Sequence, residues 1–379
     1  MSQWSWHDQG SPPGGIIEEI GVLTVMDTPQ AAQRPHVFVV GKVGTDLHVW
    51  VNYWDGANWQ WHDQGSPPGG IAYGVGVLTV MNTPQAAQRP HVFVVGADGH
   101  LWVNWWDGAN WHWHDQGLPP GGITQGVGVL TVMNTPQAAQ RPYAFVMGGT
   151  DGHLWVNWWD GANWQWHDQG VPPGSTPGLV IAIAGGTGVL TVMNTPQAAQ
   201  RPHAFIMGTD YHLWVNWWDG ANWQWHDQGS PPGGIAQGIG FLTVMDTPQA
   251  AQRPYAFVGG GDGHVWVNYW DGANWHWHDQ GSPPGGVVNE IGVLTVMDTP
   301  QAAQRPYVFV GSADGHLWVN YWDGANWHWH DQGSPQGVPP GWLALRVGVL
   351  TVMNTPQAAQ RPYAFVMGAD GHMWVNWWS

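Results

Sequence analysis

Between Trp102 and Gly117 the chain reads WVNWWDGANWHWHDQG, and close copies of this stretch recur throughout. The side chains able to do chemistry are indole, carboxylate, amide and imidazole, with one arginine per copy in a nearby QRP. Indole is favoured at half-wet positions, because its body is apolar and its N–H needs a partner. A groove lined by indole and bordered by Asp, Asn, Gln, His and Arg has the chemistry of a sugar site. The C–H face of a pyranose lies on the ring while its hydroxyls meet directed donors and acceptors. The HxH pairs, such as His112 with His114, invite a zinc reading, but no third ligand is identifiable. No metal or other cofactor is therefore expected. Glycoside hydrolysis needs two carboxylates with differentiated pKa values, whereas these carboxylates repeat in equivalent settings. No G-x-S-x-G elbow supports a nucleophilic serine. The expectation is a binding protein and not an enzyme.

The elements that must position these residues follow from internal repetition. Gln-Arg-Pro recurs with its arginine at Arg34, Arg89, Arg141, Arg201, Arg253, Arg305 and Arg361, and WHDQG begins at Trp6, Trp61, Trp113, Trp166, Trp225, Trp277 and Trp329. One unit, Gly76 to Gly117, reads as four strands: GVLTVMNT, HVFVV, LWVNWW and WHWHD. They are separated by PQAAQRP, ADG and DGAN, each with the chemistry of a turn or loop, and no segment has a 3.6-residue period. Seven such units predict an all-β fold, a seven-bladed β-propeller of four-stranded antiparallel blades. The whole chain, 1–379, reads as one domain, with blades at about 21–65, 76–117, 128–170, 188–229, 240–281, 292–333, and 348–379 plus 4–10. The last copy stops after its third strand, at WVNWWS, and the chain opens at Trp4 with WSWHDQG. That N-terminal strand is expected to complete the C-terminal blade and seal the ring.

Composition narrows the partners. The chain has 26 acidic against 9 basic residues, a net charge of -17, and no cysteine. Nucleic-acid binders present clustered Lys and Arg, so nucleic acid is not an expected partner. The same balance argues against an anionic membrane surface. The most apolar run, Gly178 to Met193, is too short and glycine-rich to span a bilayer, and reads as a linker entering a strand. The N-terminus has neither a basic n-region nor an apolar h-region, so a soluble protein without a classical signal peptide is expected.

Strand alternation divides the tryptophans. Trp102, Asn104 and Trp106 share one face and Leu101, Val103 and Trp105 the other. Trp111 and Trp113 point one way and His112 and His114 the other. Most indoles are expected to pack between blades, and two sets remain as sugar platforms. The first is the Trp of NWxW: Trp4, Trp59, Trp111, Trp164, Trp223, Trp275 and Trp327. The second is the second aromatic of WVN[WY]W: Tyr53, Trp105, Trp158, Trp217, Tyr269, Tyr321 and Trp377. Orienting polar groups are assigned to WDGAN: Asp55, Asn58, Asp107, Asn110, Asp160, Asn163, Asp219, Asn222, Asp271, Asn274, Asp323 and Asn326. The HDQ trio, His62, Asp63, Gln64 and His114, Asp115, Gln116, is the candidate second, polar site at the opposite rim. The QRP arginine is expected mainly to pair with an aspartate such as that of WDG, its alternative role being a fork of hydrogen bonds to ligand oxygens. Units with WVNYW end their first strand in Asp (Asp27, Asp246, Asp298), and those with WVNWW end it in Asn (Asn82, Asn134, Asn194, Asn354). This pattern suggests that the two positions interact.

The run from Phe93 to Gly117, FVVGADGHLWVNWWDGANWHWHDQG, resembles the repeat of the seven-bladed propeller lectins of the Photorhabdus lectin family, in all seven copies. The resemblance implies multivalent binding of L-fucose and O-methylated sugars on glycans at repeated sites between blades, sometimes two per blade. It implies neither a catalytic step nor a required metal, and a homodimeric or homotetrameric assembly, acting on extracellular glycans. The alternative reading is an interaction scaffold that binds a peptide or protein through one rim.

Overall fold

The computed structural model describes residues 4–378 apart from 29–30, 84–85, 136–137, 150, 174–187, 196–197, 246, 248–249, 298, 300–301, 336–342 and 354–357. The expected linker run therefore lies mostly outside the described residues. The described chain is all strand and turn, arranged as seven four-stranded antiparallel sheets. No helix among the described residues is long and apolar enough to cross a membrane.

Blade 2 illustrates the unit. Its strands are Ile71–Val80, Arg89–Gly96, Leu101–Trp106 and Trp111–Asp115, paired in sequence order. The first strand starts five residues before the apolar run that announces it, because the register shifts at Ile71/Tyr73 and Gly74/Gly76. Bulges of this kind admit an extra residue and add twist, and they disguise the two-residue period on which sequence reading relies. The four strands of blade 7 are Leu343–Val352, Arg361–Gly368, Met373–Trp378 and the N-terminal Trp4–Asp8, with Trp4 opposite Trp378. The seven-bladed ring and its closure are as the repeats predict. First strands of successive blades pack side by side around the axis, including Ile16–Val25 against Leu343–Val352.

The core is divided among the seven interfaces between blades, one apolar cluster at each. Every cluster has a wholly buried phenylalanine from the middle of a second strand: Phe38, Phe93, Phe145, Phe205, Phe257, Phe309 or Phe365. Burial of one such ring contributes roughly 2–3 kcal/mol, so the same sequence position stabilises each joint.

Candidate functional site

The joints are also hydrogen-bonded, and the bonds explain the uniformity of two motifs. The last Trp of WxW donates its indole N–H to a main-chain carbonyl of the preceding blade: Trp113 to Gln64, Trp166 to Gln116, Trp225 to Gln169, and likewise at every other interface, at 2.7–3.1 Å. The buried Asn104 amide donates to the same Gln64 carbonyl at 3.4 Å. In the TPQAAQRP loop, the Gln before Arg clasps the end of the preceding blade's first strand. Met26 N donates to Gln88 Oε1 at 2.8 Å and Gln88 N donates back to the Met26 carbonyl at 3.0 Å. The same reciprocal pair recurs at each of the seven interfaces, from Met81–Gln140 to Met353–Gln33. A buried main-chain N–H left without an acceptor costs about 1–3 kcal/mol, which is reason enough for this loop to be identical in every copy.

Above the clasp, at four of the seven interfaces, the blades part and leave a cavity. Between blades 1 and 2, blade 1 supplies Asp27, Arg34, His36, Val51, Tyr53, His62 and Gln64, and blade 2 supplies Ala87, Arg89, Pro90, Trp106, Gly108 and Trp111. Equivalent residues line the cavities between blades 2 and 3, 4 and 5, and 5 and 6. Their volumes run from about 440 to about 900 Å³, within the range of roughly 300–1,000 Å³ usual for small-ligand sites. Arg89 lines two of them, one on each side of its blade.

Both platform sets reach these cavities, but from different blades. Trp105 and Trp111 stand on opposite faces of blade 2. Trp105 faces blade 3 with Asn82 and His114, whereas Trp111 faces blade 1 with Tyr53. A cavity therefore pairs the second aromatic of one blade with the NWxW tryptophan of the next. Each NWxW tryptophan is half-buried and meets the core phenylalanine of the preceding blade edge-on, as Trp111 meets Phe38 at 6.1 Å. The contact recurs for Trp4, Trp59, Trp164, Trp223, Trp275 and Trp327 at 5.9–6.3 Å. The second aromatic stacks on its own second strand, as Tyr53 on His36 (5.4 Å), Trp158 on Tyr143 (5.6 Å), Trp217 on His203 (5.8 Å), Tyr269 on Tyr255 (5.4 Å) and Tyr321 on Tyr307 (5.3 Å). In the closing blade Trp377 is covered by its own chain: His7 lies parallel to it at 3.7 Å.

The WDGAN aspartates are held by their turn. Asp107 Oδ1 accepts the N–H groups of Ala109 and Asn110 at 2.7 and 2.8 Å, and Oδ2 meets His112 Nε2 at 2.7 Å. These two N–H bonds and the imidazole bring the Asp107 carboxyl down to about 2, and Asp271 and Asp323 are lowered to about 2 in the same way. Asp55, Asp160 and Asp219 accept the corresponding N–H groups, with a glutamine in place of the histidine. The turn presents Gly108, Gly161, Gly272 and Gly324 to the cavities, together with Asn163.

Apart from Asp63, the HDQ residues do not stand separate from the cavities. His62 and Gln64, and His114, Asp115 and Gln116, line the same cavities as the aromatic platforms. Within each trio Gln64 Nε2 bonds His62 Nδ1 at 2.9 Å, while Asp63 caps Gly65 N at 2.7 Å and meets His48 at 2.9 Å. The members of the HxH pair have different partners, His112 meeting Asp107 and His114 meeting Gln116. No group of three or more His, Asp or Glu side chains able to hold a metal ion occurs among the described residues.

QRP arginines line all four cavities. Arg34 pairs with Asp27 of its own blade at 3.2 Å, and not with a WDG aspartate. Asp27 and Tyr53 line one cavity, and the carboxylate's ion-pair partner is the guanidinium. Asp246, Asp298 and Asn354 lie outside the described residues. The available signal was that QRP carries nearly all of the chain's few bases. Burial lowers His36, His91 and His203 to about 4, so these three cavity histidines are neutral at pH 7. Their Nδ1 atoms face the carbonyl oxygens of Arg34, Arg89 and Arg201 at 3.0–3.1 Å. A carbonyl only accepts, so Nδ1 carries the proton and Nε2 is left as an acceptor.

No protein-family model matches the chain, and no curated protein matches it. Solved structures do. The fold is similar to that of the BP39L lectin from Burkholderia pseudomallei, with a TM-score of 0.59 and 19% identity over 100% of this chain and 98% of that one. It is similar to AofleA from Arthrobotrys oligospora, with a TM-score of 0.55 and 11% identity over 87% and 90%. It is also similar to a variant of the Aleuria aurantia lectin in complex with Fucα1-6GlcNAc, with a TM-score of 0.50 and 16% identity over 83% and 98%. At these identities the likeness concerns the fold alone.

Proposed function

We propose that the protein is a multivalent lectin whose cavities between blades each hold one saccharide. The observation that carries this reading is the repeated combination, in a single cavity, of aromatic rings from two blades with a guanidinium from each. Tyr53, Trp106 and Trp111, with Val51 and Pro90, make an apolar lining, and Arg34 and Arg89 bring directed donors. Asp27 and the neutral His36 add acceptors. This set suits a saccharide with one apolar edge. L-Fucose, with a methyl group at C6, and O-methylated sugars have such an edge, and both are what the family resemblance implies. The Aleuria aurantia lectin, similar in fold, is recorded with a fucosylated disaccharide, which supports the same ligand class.

The carboxylates favour binding without turnover. Hydrolysis of a glycoside calls for two carboxyl groups flanking the bond. Among the described residues none lines the cavity between blades 4 and 5, and the Asp27 carboxylate between blades 1 and 2 is paired with Arg34. One shallow site binds weakly, since each hydrogen bond exchanged with water gains only about 0.5–1.5 kcal/mol. Ring-shaped display raises avidity on a glycan-coated surface by about 10²–10⁴.

The decisive experiment is a glycan array followed by competition with free L-fucose and calorimetry with methyl α-L-fucoside. Binding to fucosylated or O-methylated glycans, inhibited by the monosaccharide and with several sugars per chain, is expected. A single protein partner that the monosaccharide does not displace would replace this reading with the interaction scaffold.

A further inference from the structure

The cavities share a plan but differ in the residue that faces the first blade's arginine. Between blades 1 and 2 the wall carries Asp27, and its carboxylate neutralises Arg34 across 3.2 Å. Between blades 2 and 3, and between blades 4 and 5, the same position is Asn82 or Asn194. Among the described residues no carboxylate lies within ion-pair distance of Arg89, Arg141 or Arg201. Asp160 and Asp219 act on Arg141 and Arg201 only as nearby charges, and those carboxylates are already held by turn N–H groups. Asp115, at the far end of the cavity between blades 2 and 3, is gripped by His100 at 2.9 Å. The aromatic neighbour changes with the charge: Tyr53 accompanies Asp27, and Trp105 and Trp217 accompany Asn82 and Asn194.

We infer that the ring carries two kinds of saccharide site: Asn–Trp cavities that accept a negatively charged sugar, and Asp–Tyr cavities that favour neutral ones. The inference rests on the lectin reading and deepens it. In an Asn–Trp cavity the guanidinium offers its planar fork of donors to a carboxylate or sulfate, the pairing arginine is best suited to make. In the Asp–Tyr cavity between blades 1 and 2 Asp27 occupies the fork of Arg34 and repels an anionic ligand, so that only Arg89, on the other wall, is left to meet one. The net charge of -17 opposes an anion at a distance, but salt screens that repulsion beyond about 8–10 Å, and contact is decided by the cavity. By sequence three copies are of the Asp–Tyr kind and four of the Asn–Trp kind. At the closing blade the Asn–Trp copy has His7 over Trp377, so its ligand must displace the imidazole.

The test uses the full chain and three probes in calorimetry and native mass spectrometry: methyl α-L-fucoside, methyl β-D-glucuronide and a 6-sulfated monosaccharide. The expected result is neutral sugar at both kinds of site and anionic sugar at three, with a weaker fourth, its affinity falling as salt is raised. The glucuronide and the sulfated sugar distinguish carboxylate from sulfate as the preferred anion. Introducing Asn82→Asp, Asn134→Asp, Asn194→Asp and Asn354→Asp together is expected to weaken anionic binding at least tenfold more than neutral binding. An unchanged melting temperature reports a folded ring. The converse set, Asp27→Asn, Asp246→Asn and Asp298→Asn, is expected to raise the count of anionic sugars by three. Neutral sugar bound as expected, with anionic sugar bound nowhere or at a count unchanged by either set, overturns this inference and leaves the lectin reading standing. Failure of every sugar to bind overturns both.

Discussion

At the rim carrying the ADGH turns, His100 grips Asp115, Asp115 also caps Gly117 N, and Trp102 leans its indole N–H on Asp98 at 3.2 Å. The His–Asp grip recurs in all seven blades at 2.8–3.0 Å and, as His372 with Asp8, ties the N-terminal strand to the last blade. At the opposite rim the AQRP loop and DGAN turn are also tied down, by the Gln–Met clasp and the Asp–N–H bonds, but arginine and aromatic rings are left facing a cavity. The two rims draw on the same residue types. The difference teaches that density of Asp, His and Trp does not mark a binding surface. What marks it is polar groups that the fold brings to a cavity without fully engaging them.

Substitutions at the two rims separate their roles. The largest effect is expected for Trp111→Ala, which removes a half-buried indole from Phe38 and Trp106 and opens one cavity. A loss of about 3 kcal/mol in unfolding free energy is expected, with one sugar fewer per chain by calorimetry. An unchanged stoichiometry would remove that indole from the site.

Acid tests the cavity wall. His36, His91 and His203 have folded pKa values of about 4, below the unfolded value of about 6.5. The unfolded chain therefore takes up protons first as pH falls. Their contribution to stability is complete above about 6.5 and is lost toward pH 4, on the order of 1–3 kcal/mol for each histidine. Tyr143, Tyr255, Tyr307 and Tyr363 hold the equivalent position in the other blades. The triple variant His36→Tyr, His91→Tyr, His203→Tyr is accordingly expected to flatten the melting temperature between pH 6.5 and 4. An equally steep decline in that variant would place the acid sensitivity elsewhere.

Gln88→Ala deprives Met26 N of its acceptor, and chemical denaturation is expected to register a loss of about 1–2 kcal/mol. Arg89→Ala changes stability less but borders two cavities, so two sugars per chain are expected to disappear where Trp111→Ala removes one. The smallest effect belongs to the other rim. His100→Ala breaks a partly exposed pair worth about 0–1 kcal/mol, and sugar stoichiometry is expected to stay at the wild-type value. A binding defect there would erase the distinction between rims.

Much of the architecture is legible in the residues, because it is local and repeated. Turn residues at fixed offsets mark four strands per copy, and alternation assigns Trp105 and Trp111 to opposite faces. The start of the first strand was missed, since its bulges break the alternation around Gly74 and Gly76. The roles of polar groups were harder to read. Asp107 looks like a ligand contact beside so many indoles, yet its Oδ1 accepts the N–H groups two and three residues on and its Oδ2 meets His112. Arg34 looks like a structural ion pair, and its partner proved to be Asp27 and not the turn aspartate.

By itself, the sequence determined the number of blades, the closure by the N-terminal strand and the identity of the ring-lining types, all consequences of periodicity along the chain. Only the tertiary structure decided that Tyr53 meets Trp111, that Arg89 serves two cavities and that the HDQ residues share them. The physical reason is that a strand's pleat says which side chains share a face. What that face meets depends on how neighbouring blades are rotated and spaced about the axis, a property no single copy contains.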